Sequence, residues 1–150
     1  MSTEERRAPV WPRTGLRVSL CVAAGLLAAQ SLTAGLFLAG VEAAFPVHRE
    51  TATAAGIAIM AGVVFGVLCV RLRGESWRPV VCGIGLLALM SLQAFAGFRS
   101  LTALHVPLGA LTILAGIVVA AVVWGAPVGR AEERTHGRTA RAAEDGLRHE

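Results

Sequence analysis

Charged residues leave four long apolar windows along this chain. No Asp, Glu, Lys or Arg occurs from Val18 to Val41, from Thr51 to Val70, from Pro79 to Phe98, or from Ser100 to Gly129. Each window reaches the ~20 residues a helix needs to cross the hydrocarbon core of a bilayer. In lipid the backbone must pair its own N–H and C=O groups, so helices are the expected form. None of the windows carries a periodic polar face, which excludes amphipathic helices lying on a membrane surface. The pattern predicts helices over about 16–40, 46–70, 79–98 and 102–124. Pro46 and Pro79 fall in expected first turns, where a missing N–H costs nothing, while Gly125 and Pro127 stop the fourth helix. Short connections make consecutive helices antiparallel neighbours. The expected fold class is therefore an all-α, integral membrane four-helix up-down-up-down bundle over residues 16–125. A polar tail at 1–15 and a charged, disordered tail at 126–150 flank it.

Composition and charge sharpen this picture. Hydrophobic residues make up 55% of the chain and charged residues 16%, where a soluble domain carries roughly a quarter. The 14 basic residues, all arginine, exceed the 10 acids, but their placement follows membrane side and is no nucleic-acid signature. Arg6, Arg7, Arg13 and Arg17 precede the first window, Arg71, Arg73 and Arg78 fill the second gap, and Arg130, Arg134, Arg138, Arg141 and Arg148 follow the fourth window. The remaining gaps hold Arg49 and Arg99. Positive residues are retained in the cytoplasm during insertion, so both termini are expected inside. Cys21, Cys69 and Cys82 then lie near the reducing side and read as small packing residues. The first window is longer than a signal-peptide core and reads as a retained span. No window holds the carboxylate that a proton-coupled exporter would titrate within the membrane.

Candidate chemistry rests on His48 and His105, each at the outer end of a span. The other two histidines, His136 and His149, fall in the charged tail. A faint repeat links the two halves. Ser31-Leu32-Thr33-Ala34 matches Ser91-Leu92-Gln93-Ala94, an Ala-Gly pair follows each, and then come an outer turn and a histidine. Two helical hairpins would thus bring His48 and His105 face to face near one membrane surface, the arrangement for axial ligation of a haem iron. Arg49 and Arg99, beside the two turns, would pair with the haem propionates. Gly35 and Gly97 would leave room for a flat macrocycle. The orientation of His105 depends on Pro107. A helix starting at Val106 makes His105 a cap that points outwards, whereas one starting near Leu101 lets Pro107 turn it inward. Gln30 and Gln93 read as interhelical hydrogen-bonding groups, with a polar floor to a ligand cavity as the lesser alternative, and Gly62/Gly66 and Gly116/Ala120 carry small-residue packing spacings.

Two segments also carry a family resemblance. Phe45-Pro46-Val47-His48-Arg49 looks like the His-Arg signature of haem A synthases, and Leu104-His105-Val106-Pro107-Leu108-Gly109 is similar to the second histidine motif of such a unit. The chain resembles a single four-helix half of that two-bundle family. It also resembles small actinobacterial-type membrane proteins with a Leu-His-x-Pro-Leu-Gly motif. The resemblance implies a b-type haem on His48 and His105, in the manner of a cytochrome b, within a bacterial inner membrane. The family's acidic residue in the outer region has only Glu42 and Glu50 as loose counterparts, so synthase activity is not expected. Two functional readings stay open. One is a bis-histidine haem bundle for electron transfer or haem handling near the outer face. The other is a cofactor-free structural or accessory subunit whose small-residue faces pack a copy of itself or a membrane partner.

Overall fold

A computed structural model describes residues 9–125. Positions 1–8 and the tail at 126–150, with its histidines and arginines, lie outside the described residues. Four helices follow one another: α1 (Trp11–Leu38), α2 (Ala44–Arg73), α3 (Arg78–Phe98) and α4 (Thr102–Gly125). All four are long and apolar enough to cross a membrane, which makes the chain a multi-pass membrane protein. Large apolar side chains point outward along every helix, among them Val22, Ile57, Val81 and Val118. In water such a surface would be untenable, but against acyl chains it costs nothing.

α1, α2 and α3 run past their apolar windows at the arginine-rich end, where the charges find partners. α1 begins at Trp11, inside the expected polar tail, with Pro12 in its first turn. Arg13, only 8% exposed, reaches Glu75 at 3.5 Å, and Arg73 donates to the same carboxylate at 2.8 Å and to the Pro9 carbonyl at 2.7 Å. Arg17 donates to the carbonyl of Trp124 at 2.9 Å, supplying an acceptor-rich helix C-terminus with a cation, and lies over the Trp124 ring. α2 ends on Gly74 in the left-handed region (φ 63), where a side chain would be strained.

Each helix packs on two neighbours, in the cyclic order α1, α2, α3, α4 and back to α1, and the α1–α2 contact is the most extensive. Small residues set these contacts. A Cβ at Gly62 would stand 3.1 Å from Leu20, and one at Gly66 would stand 3.0 Å from Val80. One at Gly116 would meet Leu27 at 2.6 Å, and Ala120 is buried. The small-residue faces of α2 and α4 are therefore filled within the chain itself. Leu16, Leu20, Cys69 and Val123 pack the arginine-rich end, and Ala23, Leu27, Ile59 and Leu86 pack the middle. Towards the histidine-bearing end this apolar core gives way to buried Gln30 and Thr112 and then to a cavity.

Candidate functional site

His48 sits in the second turn of α2. The N-terminal segment Ala44-Phe45-Pro46 enters the helix smoothly because proline is tolerated in the first turn. His105 sits in the first turn of α4, which starts at Thr102, so Pro107 lies inside the helix. Of the two arrangements open to His105, this is the one that turns it inward. Both rings are half-buried, their centroids 6.4 Å apart and their planes crossed at 69°. They meet across the diagonal of the bundle, where the backbones of α2 and α4 do not approach each other.

Each ring is held through Nδ1. Nδ1 of His105 lies 2.6 Å from the backbone carbonyl of Gln93 on α3. A carbonyl only accepts, so this nitrogen carries a proton, and in the neutral ring the lone pair is on Nε2. Nδ1 of His48 lies 3.0 Å from the Thr33 hydroxyl on α1. Gln30, 9% exposed, fixes the backbone beneath: its Nε2 donates to the His48 carbonyl at 3.0 Å and to the Thr51 hydroxyl. Gly97 backs the second ring closely, since a Cβ there would stand 2.9 Å from His105 Nδ1. The room that Gly97 leaves is thus taken by the His105 ring, whereas Gly35, expected with it to leave space for a macrocycle, faces open space.

The two rings border a cavity of about 680 Å³ whose walls come mainly from α2 and α3. That is within the range of small-molecule and cofactor sites. Its upper walls include Phe37 and Phe45, in ring contact at 5.2 Å, and its lower walls include Met60 and Met90. Arg49 lines the cavity. Arg99 does not; it is the exposed C-cap residue of α3 on the rim. Among the described residues no group of three or more His, Cys, Asp or Glu side chains converges. The three cysteines lie away from the cavity, with Cys69 buried in the packed half of the bundle and Cys21 and Cys82 exposed.

Thr33 and Gln93 are the residues whose part in the site the sequence did not disclose. They occupy equivalent positions in the faint repeat, and each holds the histidine of its own hairpin, one through a side chain and one through the backbone. The repeat was the available signal. No family model, curated protein or solved structure matched this chain.

Proposed function

We propose that the chain is a bis-histidine haem-binding membrane bundle, serving electron transfer or haem handling near the outer face of a bacterial inner membrane. The observation that carries this reading is the meeting of the two imidazoles. Two imidazoles bound head-on to one metal at ~2.0 Å each would hold their centroids about 6 Å apart, and His48 and His105 stand at 6.4 Å. Metal-bound histidines characteristically donate their second ring nitrogen to a carbonyl or similar acceptor. His105 does so to Gln93, and His48 has Thr33 in place to receive it.

The number of ligands also favours haem over a bare ion. A structural zinc takes four protein ligands, whereas this cluster offers two among the described residues. A haem, whose own ring nitrogens would supply the rest of the iron's ligands, would ask only His48 and His105 of the chain. Arg49 on the cavity wall is suited to a propionate, and Arg99, the C-cap of α3 outside the cavity lining, would be the partner of a second. When bound, haem supplies reversible one-electron chemistry; the protein's part is to hold the ligands and exclude water. The likeness to one half-unit of haem A synthases is part of the same proposal.

The orientation completes it. With the arginine-rich end in the cytoplasm, the helices run up, down, up and down, both termini lie inside, and the histidine pair sits under the outer surface. The test is the absorption spectrum of the purified protein. A Soret band is expected in the native chain, and it is expected to shift to a high-spin form or to vanish in His48→Ala and in His105→Ala. A colourless native protein after expression with ample haem would leave a cofactor-free bundle.

A further inference from the structure

The Thr33 hydroxyl has three neighbours and one proton. It lies 3.1 Å from the Gln30 carbonyl, 3.3 Å from the Ala29 carbonyl and 3.0 Å from His48 Nδ1. The two carbonyls can only accept, so a hydroxyl proton given to either turns the oxygen into an acceptor facing the imidazole. We infer that Thr33 is a positioning residue that fixes His48 as the Nδ1–H tautomer, so that its Nε2 lone pair is directed to the same space as that of His105. The inference rests on the haem reading for its purpose but not for its chemistry, which concerns a hydrogen bond in the protein alone.

Three observations converge on it. Thr33 back-bonds to its own helix, the habit of threonine in apolar surroundings. Its hydroxyl meets the ring at Nδ1, while Gln30 separately holds the His48 carbonyl. And the equivalent position on α3, Gln93, presents a carbonyl that leaves its histidine no tautomeric choice. The two hairpins reach the same tautomer by different acceptors. The α3 hairpin uses a backbone oxygen that no substitution can remove, and the α1 hairpin uses a replaceable hydroxyl. The His48 side is therefore the tunable one. A weaker acceptor makes a less basic imidazole, and a less basic ligand stabilises the oxidised metal less.

The experiment uses Thr33→Val, which keeps the shape and removes the acceptor, and Thr33→Ser, which restores it. In haem-free protein in lipid, at a pH where the rings are neutral, ring ¹⁵N NMR is expected to show His48 as the Nδ1–H tautomer in the native chain and in Thr33→Ser. A shift towards Nε2–H is expected in Thr33→Val. In haem-loaded protein, Thr33→Val is expected to lose about ten- to a hundredfold in haem affinity and to move the midpoint potential upward, with Thr33→Ser near native. Circular dichroism of each variant checks that the bundle is intact. A native His48 in the Nε2–H form, or a folded Thr33→Val with unchanged tautomer, overturns the inference even if haem binds. Failure of haem to bind at all overturns the functional proposal and leaves the NMR result to decide this one.

Discussion

Gly35 and Gly97 follow the two repeated segments, yet a methyl group would meet different surroundings at each. At Gly97 it would press on a ring already tied to Gln93, at 2.9 Å from His105 Nδ1. At Gly35 it would meet nothing within 4 Å. Gly97→Ala is therefore expected to displace the imidazole and weaken haem binding by about tenfold, the scale of lost support behind a ligand. Gly35→Ala should leave a haem titration unchanged. Equal effects at the two glycines would mean that the second ring is not held where it stands. At this scale the sequence disclosed the histidines, because they are the imidazoles nearest the apolar windows. It did not disclose Thr33 and Gln93, because a polar residue on an apolar helix looks the same whether it bonds a neighbour's ring or its own backbone. Nor could it separate Arg49 from Arg99: one residue faces the cavity and the other the rim, a difference of helix rotation that loop position does not encode.

Among the helices, the apolar windows marked four long apolar helices, and the starts expected at 46, 79 and 102 fall within two residues of the observed ones, whereas α1, expected from 16, begins at Trp11. Hydropathy reports where charge is excluded, whereas α1 begins at Trp11 because Arg13 and Arg17 find partners on the α2–α3 connection and on the end of α4. Pairings between segments distant in sequence have no local signature. The packing glycines were legible as spacings, but which faces they filled was not. Gly116→Val would place a Cβ 2.6 Å from Cδ1 of the buried Leu27, so that side chain must shift within the core. Overpacking of this kind costs ~1–3 kcal/mol, so a clear drop in thermal midpoint in detergent is expected. Gly85→Val, where a Cβ meets open space, is the control and should melt near the native temperature. If instead Gly116→Val melts with the native chain and changes its oligomeric state, the α4 face packs a partner and not α1.

For the molecule as a whole, the division of labour runs along the bundle axis. Interdigitated leucines and small residues pack the arginine-rich end and the middle, and the polar network and cavity occupy the other end. The proposed orientation, with the arginine-rich end in the cytoplasm, predicts that reporter fusions at both termini are active only as cytoplasmic reporters and that a cysteine placed at Glu42 is labelled by an impermeant reagent from outside. Labelling from the inside would put the histidines beneath the wrong surface for the proposed role. The most direct measurement of that role is a haem titration of the haem-free protein in lipid, followed by its ferric spectrum. One haem per chain is expected, with a low-spin, six-coordinate signature that becomes high-spin or disappears when either His48 or His105 is replaced by alanine. A spectrum unchanged by both replacements, or no saturable binding, would contradict axial ligation by this pair.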